Sequence, residues 1–461
     1  MGKILTPAPW RRSALCGLAV AGMAGLPVQA QQQNQVPAGG VLSTFSTQIG
    51  VEAGRNLDLD PGSKDKIARL YGLLGYSYRM TTRQTMLSFS AQIRPETDDN
   101  DQGLFPQGAL QWTHEGARTR FSFGANYAEA RITDQSIAFD DETGQILNYD
   151  ISGTRAQTRL NASVEGGIDM PLGYTLQVDR SEITYSDTPA GSTGYSDSTT
   201  TGAAAKLRAD ISAMTQLSLD LSHRLYEVEG GASLRQRTTD QASLGVQQRI
   251  DALWSVSASV GRSWIDTERI DRPDESIAGM TYVLGAKRAD ALGAYSFDFA
   301  QSQTESGSRR TVSLGRERET DLGRISGAIG ISRGESGGSD MIGQLAFSTE
   351  LPRDTLRANV ARSVQTDDDG DDVVVTRISA NVGHKLSEVN GLNFGLTASA
   401  TEYPTYDKNR LDATVSYEHL LSRDVNLEAG VKMSLSQSGV QEDANSQSLF
   451  LTLSRNFNFL R

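Results

Sequence analysis

The sequence predicts an all-β fold: a transmembrane, antiparallel, up-and-down barrel of about 22 strands (18–22), with short turns at one end and longer loops at the other. The first observation is alternation. Val425, Leu427, Ala429, Val431, Met433 and Leu435 are separated by Asn426, Glu428, Gly430, Lys432 and Ser434. Successive strand side chains point to opposite faces, so such a strand has one apolar face and one wet, charged face. Charges held in step on one face exclude a dry core and suit a closed sheet with lipid outside and water inside. The second observation is punctuation: short turn-like connections alternate with longer polar segments. The third is composition. Hydrophobic residues make up only 38% of the chain, with 45 glycines, and no apolar run after residue 30 approaches the length of a membrane helix. Half-apolar strands account for both facts.

The chain begins with Lys3, Arg11 and Arg12, a short apolar run over 13–26, and Val28-Gln29-Ala30, the pattern of a cleaved signal peptide over 1–30. The run is too short to cross about 30 Å of hydrocarbon as a helix. Cys16, the single cysteine, lies inside it, so disulfides and thiolate metal sites are excluded from the remainder. Residues 31–42 are polar at the start and are expected to form a disordered periplasmic leader. The barrel is expected over 43–461.

Tight turns are expected near Thr82, Glu115, Met170, Met214, Ala252, Ala291, Asp321, Pro352, Val389 and Arg423. Ten turns separate eleven hairpins, which gives the 22 strands. A weak segment such as 310–316 lowers the count to 18 or 20 if it merges with its neighbours. Longer polar segments, expected as extracellular loops, cover 56–66, 96–103, 133–148, 186–200, 227–240, 266–275 and 366–372. The spacing of the hairpins also resembles propeller blades, but inward Lys, Glu, Arg and Asp oppose the dry packing that blades need.

The two faces sort strand by strand. Leu87, Phe89, Ala91 and Ile93 are assigned to lipid, with Ser88, Ser90, Gln92 and Arg94 to the lumen. Leu217, Leu219 and Leu221 oppose Ser218, Asp220, Ser222 and Arg224; Ile378, Ala380 and Val382 oppose Arg377, Asn381 and Lys385. A Lys or Arg facing lipid at the bilayer midplane costs about 2–4 kcal/mol, so the opposite phase is forbidden. The lumen-lining set is therefore Arg94, Asp220, Arg224, Arg357, Arg377, Lys385, Glu428 and Lys432. Trp112, Trp254, Trp264, Tyr71, Tyr76, Tyr78, Tyr174, Tyr282 and Tyr417 fall near predicted strand ends and are expected in interfacial girdles.

In the last strand, Leu449, Leu451, Leu453, Phe457 and Phe459 share one face. This resembles the closing signal of Gram-negative outer-membrane barrel proteins, which the barrel assembly machinery reads through Phe457 and Phe459. The chain departs from that signal by adding Leu460 and Arg461 and by placing Arg455 on the apolar face. The resemblance is to plug-less, porin-like barrels, including those associated with exopolysaccharide export. The leader is too short for the plug domain of TonB-dependent receptors, and no convincing TonB-box-like segment is present. The resemblance implies the cell outer membrane as location, with its lipid, lipopolysaccharide and the assembly machinery as partners.

Little in the sequence points to chemistry. His114, His223, His384 and His419 do not pair with one another or with cysteine at ligand spacing. His223 lies beside Asp220 and Ser222, but the pleat puts it on the other face. Asp367, Asp369 and Asp371 belong to an acidic run that could offer oxygen ligands to Ca²⁺; they lack EF-hand spacing, and a solvated acidic loop explains them equally. No cofactor and no enzymatic activity are expected. A formal charge of −12 excludes a nucleic-acid partner. The expected function is a channel with a hydrated lumen passing polar solutes or an exported polysaccharide. The alternative is a structural or adhesive barrel with a blocked lumen and partner-binding loops.

Overall fold

A computed structural model describes residues 40–97, 102–132, 138–139, 146–147, 153–188, 196–229, 234–270, 273–335, 337–367, 370–439 and 441–460. The expected signal peptide and most of the expected leader lie outside these residues. The strands are β1 (Val41–Arg55), β2 (Lys66–Thr81), β3 (Thr85–Thr97), β4 (Gln102–Glu115), β5 (Thr119–Arg131), β6 (Ala138–Phe139), β7 (Ile146–Leu147) and β8 (Thr154–Gly166). They continue as β9 (Leu172–Ser186), β10 (Asp197–Asp210), β11 (Thr215–Glu229), β12 (Leu234–Arg249), β13 (Trp254–Arg269), β14 (Glu275–Asp290), β15 (Gly293–Thr304) and β16 (Gly307–Thr320). The last are β17 (Gly323–Arg333), β18 (Ser339–Glu350), β19 (Asp354–Thr366), β20 (Asp372–Lys385), β21 (Asn390–Glu402), β22 (Asp407–Ser422), β23 (Val425–Ser438) and β24 (Gln441–Leu460).

All but β6 and β7 form one 22-stranded antiparallel sheet, each strand pairing with its neighbours in sequence. β1 closes the ring on β24, from Leu42 opposite Leu460 to Arg55 opposite Gln447. β6 and β7 pair only with each other, inside the connection from β5 to β8. The all-β up-and-down barrel read from the sequence is the observed fold.

At one end every connection is short, none longer than the five residues between Gly166 and Leu172. All ten expected turns fall at this end. Their side chains close them: Asp251 Oδ1 accepts the Leu253 and Trp254 amides at 2.7 Å, and Ser212 Oγ accepts those of Met214 and Thr215 at 3.1 and 3.0 Å. Short turns mark the periplasmic end of such a barrel, and the start of β1 and the end of β24 lie there too.

The outward face carries the exposed apolar side chains, among them Val431, Leu449, Leu451 and Leu453. A closed ring of paired strands with bare hydrocarbon outside is a structure of the bacterial outer membrane, since every strand edge is satisfied within the sheet. Aromatics crowd the outward face toward the periplasmic end, where Trp112 stacks on His114 and Tyr417 on His419. Tyr71 is a correction. It points inward and is buried, its hydroxyl 2.8 Å from Thr452 Oγ1, and its ring lies over Gly50, where a Cβ would come within 2.4 Å. Periodicity near a strand end does not distinguish a girdle tyrosine from one whose ring fills space above a glycine.

The loop boundaries also need correction. β9 runs to Ser186 and β10 starts at Asp197, inside the segment expected as loop, and β11, β12 and β13 extend in the same way. Alternation of apolar with polar residues ends at the edge of the bilayer, whereas backbone pairing needs no apolar face and carries the wall further.

Candidate functional site at the extracellular mouth

Burial inside the barrel is uneven. Glu52, Arg69, Glu96, Phe105, Ile183, Tyr226, Ile265, Arg269 and Val373 are buried, and all stand toward the extracellular ends of their strands. Deeper in the membrane the inward wall of several strands is built of small residues: Ser257, Ser259 and Gly261 on β13, Ser243 and Gly245 on β12, Ser313 and Gly315 on β16. A 22-stranded ring is too wide for such side chains to fill. The interior is therefore packed at its extracellular mouth and lined below it by short polar groups and separate charged side chains.

Two polar clusters make up most of the packing. In the first, Arg69 on β2 donates to Asp58 at 2.7 Å and lies 2.9 Å from Glu96 on β3. Glu96 also receives Arg131 from β5 at 2.7 Å and Arg94 at 3.1 Å. Arg94 lies over the Tyr71 ring, and Arg131 over Phe105. The ladder between β2 and β3 is interrupted here, between Tyr71 opposite Glu96 and Leu74 opposite Ile93. Pro95 has no amide to offer at that place.

The second cluster joins elements that are not neighbours in the sheet. β14 and β15 pair only from Tyr282 opposite Gln301 downward, and β18 and β19 only from Gly343 opposite Arg362 downward. Above these points the hairpins part, and the tips of β15–β16 and β19–β20 turn inward. Glu305, at the first tip, accepts Arg237 of β12 at 2.5 Å and Arg269 of β13 at 2.8 Å. At the second tip Asp372 accepts Arg309 of β16, and Ser306 donates to it at 2.7 Å. A Cβ at Gly370 would come within 3.0 Å of the Arg269 guanidinium, and Val373, Val374 and Val375 are all buried. Consecutive strand residues point to opposite faces, so three buried in a row show a hairpin covered on both sides. These carboxylates and guanidiniums are charge-assisted pairs in a largely water-excluded layer.

The residues assigned to the lumen from the sequence all lie on the inward face. Arg94 belongs to the first cluster. Lys432 reaches Glu52 at 3.1 Å, with Ser448 donating to Glu52 at 2.6 Å. Asp220 pairs with Lys206 at 3.0 Å, and Arg357 with Glu350 at 3.0 Å. Arg224, Arg377 and Lys385 line β11 and β20, and Glu428 stands opposite Glu418. His223 faces outward, its Nδ1 2.7 Å from Asp240 Oδ1 and apart from Asp220. Asp367 and Asp371 form the turn after β19, where Asp367 Oδ1 accepts the Asp371 amide at 2.8 Å, and Asp369 lies outside the described residues. Among the described residues no group of three His, Cys, Asp or Glu side chains is arranged to hold a metal. Phe457 and Phe459 lie on the outward face of β24, Phe457 packing 6.1 Å from Phe45.

Sequence reasoning missed Arg69, Glu96, Arg131, Arg237, Arg269, Glu305, Arg309 and Asp372. Carrying the inward parity of β12, β13 and β16 past the apolar belt would have found Arg237, Arg269 and Arg309. Glu305 and Asp372 carry no such signal, because they act through hairpins that leave the wall.

No family model matches this sequence, and no curated protein matches it either. Solved structures share its fold. The ferric-catecholate import receptor Fiu from E. coli K12 superposes with a TM-score of 0.58 at 9% identity, covering 91% of this chain and 82% of that one. The FrpB iron transporter from Neisseria meningitidis gives 0.55 at 9% identity, covering 90% and 82%. The siderophore receptor PirA from Acinetobacter baumannii gives 0.54 at 7%, covering 90% and 80%. At these identities the likeness is one of fold.

Proposed function

We propose that this protein is a gated transport barrel of the outer membrane. A hydrated lumen, walled by serine, glycine and separate charged residues, carries a polar solute. The inward β15–β16 and β19–β20 hairpins hold its extracellular mouth closed until they part. The observation that carries this reading is the contrast between the packed, ion-paired mouth and the small polar wall beneath it. Arg69, Arg94 and Arg131 on one wall and Arg237, Arg269 and Arg309 on the other favour an anionic cargo, since guanidiniums bind carboxylates and phosphates in forked pairs. The barrels that share the fold are described as a ferric-catecholate import receptor, an iron transporter and a siderophore receptor; an anionic iron chelate is accordingly the first cargo to try.

A plug-less export route for an exopolysaccharide is the second reading, favoured by the hydroxyl-lined wall. A blocked structural barrel is the third, favoured by the packed mouth. Planar-bilayer recording and liposome swelling separate them. A gated transporter conducts rarely as the native protein and freely once a hairpin is released, with anions preferred. An exporter passes neutral oligosaccharides without anion preference. A structural barrel conducts in neither form.

A further inference from the structure

We infer that the outward face of β16 and β17 binds a phosphate group of an outer-leaflet lipid through Arg310 and Arg333. Both arginines lie on the lipid-facing side, because the same ladder face carries Val312 opposite Ile331 and Leu314 opposite Ile329, four bare apolar side chains. Both stand at the extracellular edge of that apolar strip, one rung beyond its last pair. They face each other directly across the ladder.

Like charges directly opposite each other destabilise a sheet unless an anion lies between or beside them. Some outward cations near this level carry an acid of their own, whereas Arg262 lies over the Trp264 ring and Arg55 faces Lys66 across β1 and β2. Arg362 holds Glu402 in a fork at 2.7 and 3.1 Å, His223 meets Asp240 at 2.7 Å, and Arg180 lies 3.8 Å from Glu182. The Arg310–Arg333 rung sits directly on the apolar strip without an acid of its own. Arg310 donates only to the neutral Gln301, at 3.0 Å, and among the described residues no acidic side chain pairs with either arginine. Glu335, in the adjoining turn, is committed to the Ser308 amide at 2.8 Å.

Since no described acid supplies the counter-charge, an anion from outside the chain can. Two exposed guanidiniums immediately above hydrocarbon lie where lipid headgroups lie, with their stems on the apolar surface and their heads in the polar layer. Two guanidiniums so placed match a phosphate, which each can grip in a planar fork. In this leaflet the phosphate is that of lipopolysaccharide. The site lies on the outer wall and does not depend on the lumen conducting.

The test is native mass spectrometry of the full barrel in detergent, titrated with bisphosphorylated lipid A, with its dephosphorylated form and with inorganic phosphate. Both substitutions, Arg310→Ser and Arg333→Ser, remove exposed outward side chains, and heat-modifiable gel migration checks that the barrel still folds. Arg318→Ser, outward on β16 near the periplasmic end, is the matched control. The expected result is binding of the phosphorylated lipid that falls about tenfold or more in the double variant, is unchanged in the control, and is partly kept when both positions are lysine. Equal binding of the dephosphorylated lipid, equal binding by the double variant, or binding of inorganic phosphate alone would overturn the inference.

Discussion

Glu305 is the residue whose loss should open the barrel. Its carboxylate is 5% exposed and is gripped by Arg237 and Arg269, the latter 2% exposed. Removing one partner of a buried ion pair costs about 3–5 kcal/mol, because the other is left charged and dry. The mouth is not fully water-excluded, so the lower figure of about 3 kcal/mol applies to Glu305→Ala. When the hairpin swings out, both arginines regain water, and the penalty falls on the closed form alone. That is a shift of about a hundredfold in the ratio of closed to open. A mouth open about 1% of the time would be open about half the time. Single-channel recording in planar bilayers measures this directly. The control is Glu350→Ala, which breaks an exposed lumenal pair with Arg357 at the periplasmic end and should leave opening unchanged. If folded Glu305→Ala barrels record the same open probability as the native protein, the two hairpins are not a latch.

Three further outcomes follow from the packing. Val431→Arg puts a charge on the lipid face of β23 and should cost about 2–4 kcal/mol, read as lost heat-modifiability or a lower denaturant midpoint, whereas Ser434→Arg on the inward face should cost far less. Gly50→Ala drives a methyl into the Tyr71 ring and should destabilise by about 1–3 kcal/mol; Tyr71→Phe, which loses only the bond to Thr452, should cost about 1 kcal/mol. Phe459→Ala should lower the yield of folded barrel in outer-membrane fractions several-fold while leaving refolding in detergent unchanged; equal losses in both would show that Phe459 acts in folding and is not an assembly signal.

The barrel was legible in the sequence because lipid outside and water inside impose a two-residue period, and the many charges held in step on one face forbid the opposite phase. Leu427, Glu428, Val431 and Lys432 declare their faces by chemistry alone, and Pro352 and Arg423 declare the turns. The mouth was less legible. Above the bilayer both faces of a strand meet water or packed polar groups, so the alternation that marks Leu217 to Leu221 fades by Glu227, although the strand continues. Glu305 and Asp372 looked like ordinary loop acids. Their importance comes from β15–β16 and β19–β20 parting from their neighbours, which brings together residues far apart in sequence. Tyr71 was misplaced for the same reason: its environment is set by Gly50 on one strand and Thr452 on another.

Thiol labelling along β23 tests the two-faced wall most directly, since the barrel region of the chain contains no cysteine. Single cysteines would be placed at each residue from Val425 to Leu435, with the protein reconstituted in liposomes. A small, water-soluble, membrane-impermeant maleimide should react at Asn426, Glu428, Gly430, Lys432 and Ser434 and leave Leu427, Ala429, Val431 and Met433 protected by lipid. Uniform reactivity along the strand, or reaction at the odd positions with protection of the even ones, would contradict a barrel whose water lies inside.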